Sequence, residues 1–173
     1  AKRAGVSKGT VYLYFKSKEE LLRAAVRDSV VPIVDEGDDI EVEAEGTSAE
    51  LLRQLLQRWL EEFEERGLAG VPKLVMSEAG NFPELAQDYM THVVQRSRRL
   101  FARVIKRGIR EGEFRKVDVR EAVQVLLTPV LYSQIHAASL GPYDPGLMER
   151  GRFLDAHLDF FLRAVRVEPQ GVS

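Results

Sequence analysis

Three times in this chain a hydroxyl or carboxylate residue stands three positions ahead of a glutamate, at the head of a charged amphipathic run: Ser17 and Glu20, Thr47 and Glu50, Asp118 and Glu121. In a capping box the first side chain accepts from a backbone N–H of the opening turn and the glutamate reaches back, so each pair marks a helix start. The stops agree with the starts. The spacing predicts a helix from Lys18 to about Val31, before Pro32, and an acidic, glycine-bounded loop from Gly37 to Gly46. A second helix is expected over 47–66 with Gly67 as its stop, then a short one over 71–79. A long helix is expected from Pro83, at a first-turn position, to about 111 before Gly112. Two more are expected over 118–140 and 146–166, parted by "GPYDPG". No stretch keeps a two-residue alternation, so the fold class is all-α.

The formal net charge is −2, but it is unevenly spread. Residues 1–27 carry a net +5, residues 28–65 a net −11 and residues 66–173 a net +4. A basic first segment beside an acidic second one points to an anionic partner for the first. The chain has no cysteine, which excludes a disulfide framework, a thiolate metal site and a Cys nucleophile. No run approaches the roughly 20 apolar residues of a membrane helix, and no basic-then-apolar leader is present, so a cytoplasmic protein without a membrane partner is expected. His92, His136 and His157 are scattered and fit no ligand pattern, and no cofactor or metal is expected.

"AGVSKGTVYLYF", Ala4 to Phe15, contains G-x-S-x-G, the pattern of a hydrolase nucleophile elbow. An elbow needs a buried strand running into the first glycine, and here Ala1-Lys2-Arg3-Ala4 precedes it. An all-α chain offers no sheet to hold the rest of a triad, so the chain is not expected to be an enzyme. As a helix start the same residues make sense: Ser7 caps, Gly5 turns, and Val6, Val11 and Phe15 fall at helical spacing to pack inward. Lys8, Gly9, Thr10, Tyr12 and Tyr14 are then left to face outward, and Lys18 opens the next helix, where backbone N–H groups favour a phosphate. On residue chemistry alone, a solvated surface helix accounts for these residues equally well.

The 26-residue run "AKRAGVSKGTVYLYFKSKEELLRAAV" resembles the second half of the DNA-binding domain of TetR-family transcriptional regulators. The resemblance implies a partial helix-turn-helix domain over 1–27 and a larger helical-bundle ligand-binding and dimerisation domain over 28–173. By motif position it implies DNA contacts from Lys8, Gly9, Thr10, Tyr12, Tyr14 and Lys18. It also implies that the first helix and most of the second precede Ala1 in the whole protein, so that this chain alone is expected to bind DNA poorly. The function implied is a homodimeric repressor on a pseudo-palindromic double-stranded operator, released by a small effector. A helical small-molecule-binding or interaction module without DNA binding is the alternative.

"FPELAQDYM" and "VIKRGIREGEFRKVD" resemble segments of one group of these regulators. A ligand cavity is expected among the helices starting near 47, 71, 83 and 118, lined by Leu55, Trp59, Phe63, Met76, Phe82, Tyr89, Val93, Phe101, Leu127 and Gln134. These side chains suit a mostly apolar or amphipathic molecule, although core packing is the commoner role for them. Tyr89, Tyr132 and His136 are candidate polar contacts. The last two helices carry apolar stripes that the resemblance assigns to a twofold interface: Ala122, Val125, Leu126, Pro129, Val130 and Ser133 on one, Phe153, Ala156, Phe160, Phe161 and Ala164 on the other. Arg96, Arg99, Arg103, Arg107 and Arg110 form a stripe on the long helix, read as a solvated face with ion-pair partners in the acidic stretch.

Overall fold

A computed structural model describes Gly9, residues 13–146 and residues 148–167. Among the described residues the principal α-helices are α1 Lys18–Glu43, α2 Ser48–Glu65, α3 Val71–Glu78, α4 Pro83–Tyr89, α5 Gln95–Arg110, α6 Val119–Ala137 and α7 Arg150–Val165. A π-helical turn, Met90–Val94, joins α4 to α5 without a break. Among the described residues there is no strand, only a lone antiparallel bridge between Phe114 and Arg166. None of the described helices is long and apolar enough to cross a membrane.

The caps form much as the sequence indicates. Thr47 Oγ1 accepts from Glu50 N–H while the Glu50 carboxylate accepts from Thr47 N–H, and Asp118 accepts from Glu121 N–H. Ser17 accepts from Glu20 N–H, but the Glu20 carboxylate accepts from Lys16 N–H rather than from the cap residue. The start of α2 has a second, remote cap: the Glu113 carboxylate accepts from the N–H groups of Ser48 at 2.7 Å and Ala49 at 3.0 Å. Gly67 and Gly112 end their helices with φ of +66° and +77°, a conformation that glycine adopts without a Cβ penalty.

α1 departs from expectation. It passes through Pro32 and continues to Glu43, so most of the acidic stretch predicted as a loop is helix. Proline costs a helix one N–H and crowds the carbonyl four residues back, here on an exposed face at Asp28. Tertiary contacts outweigh that cost. Val30, Ile33 and Val34 are buried, and Gly37 lies so close to α5 that a Cβ there would sit 3.0 Å from Leu100 Cδ2. Arg96 then holds Asp35 at 2.7 Å and Asp38 at 2.9 Å, and Arg103 holds Asp38 at 2.6 Å and Glu41 at 2.9 Å. Thus Arg96 and Arg103 of the arginine stripe find partners in the acidic stretch, folded as helix, while Arg107 and Arg110 pair with Glu111 at the end of their own helix.

Burial acts to raise the Asp38 carboxyl, but the hydrogen bonds from Arg103 and Arg96 prevail and hold it below its ordinary value of 3.8. A carboxylate held low in the folded state contributes stability above the unfolded value, and that stability is lost as pH falls through the folded one. Asp38→Asn is expected to cost about 1 kcal/mol at neutral pH and to flatten the loss of stability below about pH 4. Urea denaturation of both proteins across that range checks it. Parallel pH curves would mean that the pair adds nothing.

Two apolar clusters organise the bundle. α2, α5, α6 and α7 share one, around Leu52, Leu56, Val104, Ile105, Leu126, Val130 and Leu158. The second joins α1 to the end of α2, α3, α4 and the π turn, around Val30, Phe63, Val75, Leu85 and Val93. Trp59 of α2 packs against both.

Candidate functional site

Between the two clusters the helices leave a cavity of about 120 Å³. Four segments wall it: Ile33, Val34, Gly37 and Ile40 of α1; Leu55, Arg58 and Trp59 of α2; Tyr89, Val93, Val94, Ser97, Arg98, Leu100 and Phe101 along the α4–α5 run; and Gln124, Leu127, Thr128 and Leu131 of α6. The π turn matters to this wall. It widens one turn by a residue, so Tyr89 and Val94, five apart, both line the cavity together with Val93. Arg58 donates to Glu36 at 2.8 Å and also pairs with Glu62. Tyr89 is 7% exposed, and burial pushes its hydroxyl up to about 12.

Of the residues expected here from sequence, Leu55, Trp59, Tyr89, Val93, Phe101 and Leu127 line the cavity. Four lie off it. Phe63 is fully buried in the second cluster, edge-on to Trp59 with ring centroids 5.1 Å apart. Met76 is 63% exposed, because Val75 is the α3 residue turned inward. Phe82 is half-buried under the Lys18 ammonium, 5.4 Å from its ring centroid. Gln134 is fully buried away from the cavity, its amide atoms without a partner among the described residues. Tyr132 is exposed, and His136 faces Asp144 at 3.6 Å. The contributions of α1 and the polar side chains Arg58, Ser97, Arg98, Gln124 and Thr128 were not legible. Ile33, Val34, Gly37 and Ile40 do keep helical spacing past Pro32, and that was the signal for the former.

In the stretch expected to touch DNA, Lys8, Thr10 and Tyr12 lie outside the described residues, as do the cap Ser7 and the packing positions Val6 and Val11. Gly9 and Tyr14 are exposed, and Phe15 is half-buried. Lys18 donates to Glu78 Oε1 at 2.8 Å, and that hydrogen bond, with a second from Asn81, holds the Glu78 carboxyl below its ordinary value. One turn on, Arg23 holds Glu84 at 2.6 Å and Asp88 at 2.7 Å. The N-terminal half of α1 is therefore tied by charge to α3 and α4.

The two stripes expected at a twofold interface split by helical phase. Ala122, Leu126 and Val130 of α6 and Phe161 of α7 are buried inside the protomer, where they pack against one another's helices. A residue so placed offers little surface to a second copy. Val125 (60% exposed), Ala156, Phe160 (75% exposed) and Ala164 face outward, with Pro129, Ser133 and Phe153 half-buried. Tyr132, unmentioned by the stripe, joins them at 63% exposed.

Comparison with known proteins places this architecture. A family model described as the tetracyclin repressor-like C-terminal domain matches residues 42–150, and one for bacterial regulatory proteins of the tetR family matches residues 1–25. The fatty acid metabolism regulator protein of Bacillus subtilis (strain 168) is 27% identical over 128 residues, 73% of this chain and 64% of that protein. The chain thus spans under two thirds of that relative's length. Among solved structures, the TetR-family regulator PfmR from Thermus thermophilus aligns with a TM-score of 0.75 at 26% identity, over 94% of this chain and 85% of that one. The regulator FadR from Bacillus subtilis, solved in complex with stearoyl-CoA, aligns with a TM-score of 0.73 at 22% identity over 94% and 84%, a likeness of fold. With one family model covering more than half of its length and a second covering its recognition motif, the chain belongs to the TetR family of bacterial regulatory proteins.

Proposed function

We propose that the protein is a cytoplasmic, homodimeric, ligand-responsive repressor whose effector is a small amphipathic molecule with an apolar body. One observation carries this reading: the apolar cavity is walled in part by α1, the helix whose other end follows directly on the recognition motif. α1 runs unbroken through residues 27 and 28, so the division into a DNA-binding part and an effector part falls within one rigid element that belongs to both. An engineered cavity of about 150 Å³ holds no more than a benzene-sized guest. An effector with a longer chain therefore enters only by parting α1 from α2, α5 and α6. It binds the parted state better, and that difference in affinity is what moves the recognition helices out of register with grooves about 34 Å apart. The ion pairs of Lys18 and Arg23 pass the movement between α1 and the α3–α4 segment. The relatives that regulate fatty acid metabolism or hold stearoyl-CoA make a fatty acyl chain the first apolar body to try.

The test is a mobility shift with the full-length protein and the DNA upstream of its own gene. Sequence-selective, salt-sensitive retention that a long-chain acyl ligand releases is expected. Absence of selective retention on that or any selected DNA would overturn the regulator reading. Lys18 adds its own prediction, because Glu78 competes with a phosphate for the ammonium. Glu78→Gln is expected to tighten operator binding by up to about fivefold, the worth of an exposed ion pair. Lys18→Gln is expected to weaken binding across sequences and to lower the slope of log affinity against log salt by about one. Unchanged binding in both variants would remove Lys18 from the DNA contacts.

A further inference from the structure

Among the described residues, several polar groups of the cavity wall lack a full complement: the Trp59 indole N–H is buried without a hydrogen bond, the Tyr89 hydroxyl has no partner, and the Arg98 guanidinium meets no carboxylate. Tyr89 is almost wholly buried, yet its hydroxyl makes no hydrogen bond with any described residue, and burial alone accounts for its raised pKa. Arg98 stands at the exposed rim of the same cavity. Its Nη2 donates to Gln124 Oε1 at 3.2 Å, and Gln124 Nε2 donates to Thr128 Oγ1 at 2.7 Å, so α6 orients it with neutral groups only. Arg58, Arg96 and Arg103, its neighbours in space or sequence, are each satisfied by carboxylates. Arg98 forms no ion pair among the described residues, and Asp35, Glu36 and Asp38, the acids of α1 nearest in sequence to the cavity wall, are committed to those other arginines.

Tyr89 and Arg98 lie nine residues apart on one continuous helical run, which separates them by about 13 Å along its axis. Between them the lining is apolar, with Val93, Val94 and Phe101 on the same run. We propose that the effector is bifunctional: an anionic group held by Arg98 at the rim, and an oxygen function at the far end of an apolar body that hydrogen-bonds the Tyr89 hydroxyl. The proposal rests on the cavity being the effector site and narrows what it accepts. A plain saturated chain would leave the buried phenol unanswered, whereas a hydroxyl or carbonyl oxygen would satisfy it.

Calorimetric titration of the full-length protein with dodecanoic acid, ω-hydroxydodecanoic acid and dodecan-1-ol tests this. In an apolar pocket without a partner, a terminal hydroxyl binds worse than a methyl. Here the hydroxy acid is expected to bind about tenfold more tightly than dodecanoic acid. Tyr89→Phe is expected to abolish or reverse that preference while leaving dodecanoic acid within about twofold of wild type. Arg98→Gln is expected to weaken both acids about tenfold and to leave dodecan-1-ol unchanged. Thermal melts of both variants confirm that the fold is kept. If the wild type shows no preference for the hydroxy acid, or the preference survives Tyr89→Phe, the two-point reading is overturned and the amphipathic cavity stands. If none of the three compounds binds, the cavity as effector site falls with it.

Discussion

Replacing Phe114 with alanine is expected to remove about 3–5 kcal/mol of folding stability, a large share of the 5–15 kcal/mol that holds a typical domain together. The ring is 2% exposed and sits where three elements meet. Its own N–H donates to the Gly108 carbonyl at 3.0 Å, and Phe114 forms the lone bridge to Arg166 at the end of α7. On either side of it, Arg115 N–H donates to the Val165 carbonyl and Val167 N–H to that of Glu113, the residue whose carboxylate caps α2. The void left by the ring therefore opens between α5 and α7 and slackens the cap on α2 as well. Gly108 supplies a check that loss of area alone would not pass. A Cβ at that position would lie 2.3 Å from the Phe114 ring, so Gly108→Ala is expected to destabilise the wild type by about 1–3 kcal/mol through overpacking. In the Phe114→Ala background the methyl has room, and the gain of about 1 kcal/mol in helix propensity is expected to emerge instead. Urea denaturation of the four proteins measures the cycle. Additive losses would mean that the ring and the glycine do not share one packing site.

The course of α1 shows where local sequence stops being informative. A proline after Val31, two glycines and a run of acids all argue for a loop, and each argument is locally sound. What overrides them lies about 60 residues away: Leu100 against Gly37, and Arg96 and Arg103 against the acids. Ending α1 early hid Ile33, Val34, Gly37 and Ile40 from the cavity, although the spacing of these residues continues that of the helix. By contrast α2 and the α4–α5 run were legible, because local start and stop signals and apolar periodicity agree there, and the distant Glu113 only adds a second cap to α2. Within the site, apolar character alone misplaced Met76 and Phe82, for on a helix as short as α3 one residue of phase separates buried Val75 from exposed Met76. Arg98, Gln124 and Thr128 were missed for the opposite reason, since polar residues on amphipathic helices are usually solvated and nothing local marks a cavity rim.

On the homodimeric reading proposed above, the same question of phase decides which face of α6 and α7 would meet a second copy. Leu126, Val130 and Phe161 are spent on the protomer core, which leaves Val125, Tyr132, Phe160, Ala156 and Ala164 as the outward apolar surface. A single exposed phenylalanine needs no explanation, but large apolar side chains exposed on two adjacent helices make this the face we propose for the second copy. A twofold axis through this face would pack α6 and α7 of one copy against those of the other, with small residues at 156 and 164 permitting close approach. Phe160→Asp is therefore expected to dissociate the full-length dimer. Symmetry buries the new carboxylate twice, and each unpaired buried charge costs several kcal/mol, so the dissociation constant is expected to rise by at least about a thousandfold. Protomer folding is expected to change by no more than about 0.5 kcal/mol, because the side chain is 75% exposed in the single copy. Sedimentation equilibrium reads the first effect and a thermal melt the second. Operator binding is expected to fall with dimerisation, since a half-site held by one recognition helix forfeits the contacts of the other. A variant that stays dimeric and keeps its operator affinity would place the twofold contact on another face of the molecule.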